Sequence, residues 1–320
     1  MNPNNAQELQ RQLFNAIKQK LPKGENLARH IADALNLSPD AAYKKIRGER
    51  LLDLQDLQLL FQTYKLSYED MAIDTATQKV WFSCNNLQIQ PNFEDYLQFI
   101  AQQLQLLLDK QVKSLTCSAG EVPLFYYCMF PELIQFKAYV WQQSILPLTE
   151  TQLQPFSLDQ TETPLLQLAQ EINYSYLAIP SQEIWASETI GSLYRQLRFY
   201  KEAQLFATSQ TYEVLMAAFK ALLQHVKQQT LQQCKIERYS KTKRAPFALY
   251  HNELLPGDDS LLAQLPGQNM AIFLPHSLQA FVSTDVRVTQ ALAAALHGLK
   301  QQSICLTQQC ERYIAPFFES

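Results

Sequence analysis

Glycine is scarce, with seven in 320 residues, each isolated. None stands in a nucleotide-binding fingerprint, so a Gly-rich loop cradling a phosphate is excluded and nucleotide-dependent catalysis is unsupported. No apolar run is long enough to span a bilayer, and the Asn- and Gln-rich start differs from an export signal. The expectation is a cytoplasmic protein without a membrane partner. The six cysteines (Cys84, Cys117, Cys128, Cys234, Cys305, Cys310) are scattered without CxxC spacing and read as reduced thiols. Of the five histidines (His30, His225, His251, His276, His297), none pairs with another His or a Cys at a ligand spacing. Neither a metal site nor a cofactor is expected. The formal net charge is only -3, which excludes a polyanion-binding field over the whole molecule. Any nucleic-acid contact must be local.

What is present is a folding composition: 47% of residues are hydrophobic and 11% aromatic. The length suggests two or three domains, and abundant Leu and Gln favour helix. The expected fold class is mainly α, with an N-terminal helix-turn-helix bundle over 1–75 built from segments at Ala6–Leu21, Asn26–Leu35, after Ser38, Leu54–Tyr64 and Ser67–Met71. Residues 76–113 read as a linker and a connecting helix from Phe93 to Lys113. A mainly helical domain is expected over 114–240, with a strand at Ser114–Cys117 and helices at 164–178, 181–206 (Ser181 as N-cap) and 211–234. Residues 241–320 read as a small α/β region for sensing or self-association. It has strands at Phe247–His251, Met270–Leu274 and Ala280–Ser283, a turn at Pro256–Asp259, and helices at Val286–Gln301 and Thr307–Phe317.

The informative stretch runs from Ile31 to Gly48, where two short helices meet at a tight turn. Ala32 is small where the helices cross, Asn36 can adopt the left-handed conformation that ends the first, and Leu37 plugs the core behind the turn. Ser38 is an apt N-cap, Pro39 suits the first helical position, and Asp40 suits the positive helix end. With Ala42 and Ile46 inward, Asp40, Tyr43, Lys44 and Arg47 project outward along one side, the surface that a recognition helix places in the major groove. Lys44 and Arg47 can donate to guanine O6 and N7, and the amides near Ser38 can hold a phosphate. Lys45, Arg50 and Arg29 are read as contacts to the DNA backbone.

Residues 25 to 71 resemble the lambda-repressor-like class of helix-turn-helix domain. The resemblance is carried by the spacing from Ala32 to Asn36, Leu37 and Ser38, by the run from Ser38 to Gly48, and by the segments Leu54–Leu60 and Leu66–Met71. Asn36 stands where that class usually has Gly, and Ala28 where a phosphate-binding Gln is common. The remainder resembles a recurrent group of bacterial transcriptional regulators through Phe130–Leu133 and Tyr250–Glu253. The resemblance implies a regulator of transcription whose partner is double-stranded DNA. A homodimer is expected because one recognition helix covers only a short half-site, and an effector would act through the later region.

Two other classes stay open. Residues 1 to 75 carry ten basic and ten acidic side chains, which suits a protein-interaction scaffold whose helical bundle docks a partner chain. Against it, Tyr43 to Arg50 holds four basic residues and one acidic one. The trio His251, Asn252 and Glu253 offers acid–base groups for an enzyme, but no nucleophile motif accompanies it, so no catalytic residue is expected. Lys241 to Arg244 reads equally as a further DNA contact or a solvated loop. The aromatics between Phe125 and Trp141 read by default as core.

Overall fold

The computed structural model describes residues 3–22, 24–66, 80–84, 93–145, 154–158, 163–253, 259–274, 280–309 and 311–319. The chain divides into two compact units, Met1–Trp81 and Phe82–Ser320.

The first unit is helical: α1 (Pro3–Lys20), α2 (Leu27–Leu35), α3 (Pro39–Ile46) and α4 (Leu54–Thr63). Each boundary has a local cause. The Asn26 side chain accepts from Ala28 N–H at 2.9 Å and starts α2. Asn36 ends it in the left-handed region (φ 51°, ψ 50°), and Leu37 N–H returns to Ala32 C=O at 2.8 Å. Ser38 caps α3 through Ala41 N–H at 3.3 Å, with Pro39 in its first turn. Asp53 and Asp56 form a reciprocal capping box on α4. Leu13, Phe14, Ile17, Ile31, Ala32, Leu35, Ala42, Leu60 and Leu66 form the core. The short helix expected at Ser67–Met71 lies outside the described residues.

Among the described residues, the second unit is built on a mixed sheet of nine strands: β1 (Ser83–Cys84), β2 (Ser114–Ala119), β3 (Ser181–Trp185), β4 (Cys234–Ile236), β5 (Lys243–His251), β6 (Asp259–Gln264), β7 (Met270–Leu274), β8 (Phe281–Ser283) and β9 (Ile304–Cys305). Their order is β1-β8-β7-β6-β2-β3-β5-β4, with β9 also on β5. Strands β2, β3 and β5 are mutually parallel, and every other pairing is antiparallel. The helices are α5 (Phe93–Asp109), α6 (Leu124–Tyr127), α7 (Pro131–Ile145), α8 (Thr163–Ala178), α9 (Ser187–Glu202), α10 (Ser209–Gln232), α11 (Val286–Gln301) and α12 (Glu311–Glu319). Strand side chains alternate between faces. Leu115, Cys117, Trp185, Phe247, Leu249, Leu261 and Ala263 join the large core beneath α5 to α10, whereas Ile184, Leu262 and Ala271 pack on Leu292 and Leu296 of α11. The aromatics Phe125, Tyr126, Tyr127, Phe130 and Phe136 are buried in the larger core, with Tyr139 and Trp141 packed against it.

Helix dominates, but the sheet makes the second unit α/β rather than mainly α. Three sequence-based expectations are corrected. Residues 114–240 and 241–320 are not separate regions, because β2 and β3 from the first lie between β6 and β5 from the second. The connecting helix belongs to this unit, since Phe93, Leu97, Leu104 and Leu107 of α5 enter its core. The 181–206 helix is instead strand β3 followed by α9, and Ser181 is a buried strand residue. A strand buried on both faces loses the polar–apolar alternation by which strands are recognised. The turn at Pro256–Asp259 lies outside the described residues except for Asp259, and Cys310 likewise falls outside them. Among the described residues, no helix is long and apolar enough to cross a membrane.

Candidate nucleic-acid interface

The turn between α2 and α3 sets what α3 presents. Ala42 is fully buried and Ile46 packs against the core, so the opposite side of this eight-residue helix faces outward. Asp40, Tyr43, Lys44 and Arg47 are all exposed there. Arg47 follows the last helical residue, and Gly48, at φ 77°, turns the chain away. Lys44 is paired with Asp40 one turn earlier at 2.9 Å, and Arg47 reaches Glu49 at 3.4 Å. The Arg47 guanidinium stands 6.0 Å from the Tyr43 ring centroid. Exposed pairs of this kind are worth about 0–1 kcal/mol, so either cation can exchange its carboxylate for another acceptor at small cost.

Arg29, on α2, and Arg50, just beyond α3, are exposed, as is Ser38 at the N-cap. Lys45 is different. Only 8% of it is exposed, and its ammonium meets Asp56 on α4 at 2.5 Å and Leu51 C=O at 3.3 Å. It ties α3 to the capping box of α4 and cannot meet a phosphate, which corrects its reading as a backbone contact.

Gln10 is the residue that sequence reasoning missed. Buried in α1, its amide nitrogen donates to Lys45 C=O at 2.6 Å and Arg50 C=O at 2.8 Å, while its oxygen accepts from Leu52 N–H at 2.7 Å. One side chain thereby holds the end of α3 and the following loop. A polar residue among Leu13, Phe14 and Ile17, at helical spacing from them, is the signal that could have found it.

In the second unit, His251 and Glu253 do come together, but not in the order of a Ser–His nucleophile pair. Ser187 Oγ donates to Glu253 Oε1 at 2.6 Å, and His251 Nε2 is bonded to that same oxygen. The carboxylate sits between hydroxyl and imidazole, so the imidazole has no path to the serine proton. Glu253 is half-exposed, and its two partners hold its carboxyl below the usual range, Ser187 foremost.

A more buried group is Glu183 in β3, which accepts from Tyr126 at 3.1 Å, from Trp185 Nε1 at 2.9 Å and from Tyr176. Lys235, fully buried in β4, donates to Tyr176 C=O at 2.6 Å. Burial raises the Glu183 carboxyl and pushes the Lys235 ammonium well down. Tyrosine and indole donors already surround this carboxylate, so the network braces the sheet against α6 and α8. Among the described residues, no group of three or more His, Cys, Asp or Glu side chains is placed to hold a metal ion.

No protein-family model, curated protein or solved structure matches the chain.

Proposed function

We propose that this protein is a sequence-specific DNA-binding regulator of transcription, with α3 as the recognition helix in the major groove. The observation that carries the reading is the outward row Asp40, Tyr43, Lys44 and Arg47 on a short helix. A left-handed Asn36 turn joins it to α2, and the buried Gln10 clamps its far end. Rigid presentation matters because a side chain already held in place loses less entropy on meeting a base edge. In this reading Lys44 and Arg47 address bases, and Arg29, Arg50 and the Ser38 end of α3 address phosphates. Double-stranded DNA is the partner, a homodimer supplies two recognition helices, and an effector, if present, acts on the second unit.

The balanced charge of the first 75 residues, and the ion pairs already made by Lys44 and Arg47, favour a second reading, a docking bundle for a partner protein. Selection from a random duplex library followed by anisotropy titration separates the two. Wild type is expected to enrich a defined site and to lose affinity steeply with salt. Lys44→Ala and Arg47→Ala each cost about 1–3 kcal/mol on that site, and the double variant abolishes specific binding with its melting temperature unchanged. Unaltered affinity of the double variant would exclude α3 as the recognition helix.

A further inference from the structure

The basic run Lys241 to Arg244 is part of an ordered hairpin in the second unit. Strands β4 and β5 pair through Ile236 and Lys243, and Glu237 N–H closes the turn on Thr242 C=O at 2.9 Å. Lys241 N–H returns to Glu237 C=O at 3.1 Å, and Ser240 Oγ bonds Thr242 Oγ1 at 2.8 Å. The tip therefore has a defined shape.

Its surface pairs cations with aromatic rings. Tyr239, at the tip, is 79% exposed, with the Arg238 guanidinium 5.0 Å from its ring centroid. Arg238 is itself fixed, donating to Met129 C=O at 2.8 Å and lying 3.9 Å from the Phe130 ring centroid. Arg244 lies 5.7 Å from the ring centroid of Tyr174 on α8, itself 66% exposed. From Glu237 to Arg244 four residues are basic and one acidic, and Glu237 is bound by Arg244 and Ser240. Lys241 and Lys243 extend into solvent on a molecule whose overall charge is negative.

Beside these guanidinium groups, both rings keep most of their surface in solvent. A partner with regularly spaced anions beside apolar surface accounts for both rings and lysines, and duplex DNA has that chemistry along its backbone: phosphates for the ammonium groups, and deoxyribose faces for the tyrosines. We propose that the β4–β5 hairpin is a second DNA-contact surface that grips the phosphate backbone. The inference rests on the DNA-binding reading of α3, but the two predict different losses. A phosphate grip changes affinity for all sequences alike, whereas a recognition helix changes the preference among them.

The test uses the full-length protein, a library-selected duplex and a random-sequence duplex, titrated between 50 and 200 mM salt. In the Lys241→Gln/Lys243→Gln variant, the slope of log affinity against log salt is expected to fall by about two. Both duplexes should weaken by about tenfold at 0.1 M salt, with their affinity ratio unchanged. Lys241→Arg/Lys243→Arg retains the slope. An unchanged slope and affinity in the Gln variant overturns the proposal, whatever the α3 variant does. Loss of slope in the Gln variant, alongside normal binding by Lys44→Ala/Arg47→Ala, supports the hairpin and overturns α3 instead. If the Gln variant loses binding to a polyglutamate peptide but not to DNA, the partner is an acidic protein and the proposal falls.

Discussion

Adjacent lysines have opposite roles at the residue scale. Lys44 and Lys45 follow one another on α3, yet a rotation of about 100° per residue turns one to solvent and the other onto Asp56. The consequences of removing them differ accordingly. Lys45→Ala leaves the Asp56 carboxylate, mostly out of water, without its cation, and is expected to cost about 3 kcal/mol of unfolding free energy, near the lower end for breaking a buried pair. Lys44→Ala, which breaks only an exposed pair, should cost less than about 1 kcal/mol. Urea unfolding of both variants checks this, and equal losses would show that Lys45 is not an anchor.

At the element scale, one carboxylate extends the β2–β6 ladder that joins the parallel centre of the sheet to its antiparallel side. Asp259, the first residue of β6, accepts from Gly120 N–H at 2.6 Å, just beyond the end of β2. Burial raises its pKa to about 6; the Gly120 amide and Lys137 pull it down, and the Glu121 carboxylate pushes it up. Because the folded state holds this proton more tightly than the unfolded chain, Asp259 contributes fully to stability below about pH 4. That contribution is lost as pH rises through about 6. Asp259→Asn keeps an acceptor for Gly120 and cannot ionise. Its stability relative to wild type is expected to rise between pH 4 and 7.5 by about 2 kcal/mol, or about 4–8 °C in melting temperature. A difference that does not vary with pH would show that Asp259 titrates as an ordinary surface carboxylate.

For the whole molecule, the division at Trp81 and Phe82 separates two cores, one helical and one α/β. A fragment of residues 1–81 carries its own core and caps, and should unfold cooperatively by itself. With balanced charge it has little non-specific attraction to DNA and should bind a single half-site weakly. If the second unit pairs two copies, the full chain gains about 10²–10⁴-fold on a duplex with two half-sites. Light scattering and titrations of both proteins on one-site and two-site duplexes check this. Equal affinities from a monomeric full-length chain would mean that the second unit does not pair two recognition helices.

The sequence by itself determined the features whose causes lie within a few residues. The cap at Ser38, the turn at Asn36, and the inward spacing of Ala42 and Ile46 are local, so α2 to α4 and the exposed face of α3 were legible. The central sheet was not. Its order joins β2, β3 and β5 across long helical excursions, and β3, buried on both faces with Ser181 and Glu183 inside, carries no alternation to mark it. Lys45 looked like its exposed neighbour until α4 brought Asp56 against it, and Gln10 looked like any surface glutamine until α3 ended over it. The basic run at Lys241 read as loop or contact alike; only the hairpin, Phe130 and Tyr174 shaped it into a surface. Helix ends depend on neighbours in the chain, whereas burial, ion pairing and surface shape depend on neighbours in space, which tertiary folding alone supplies.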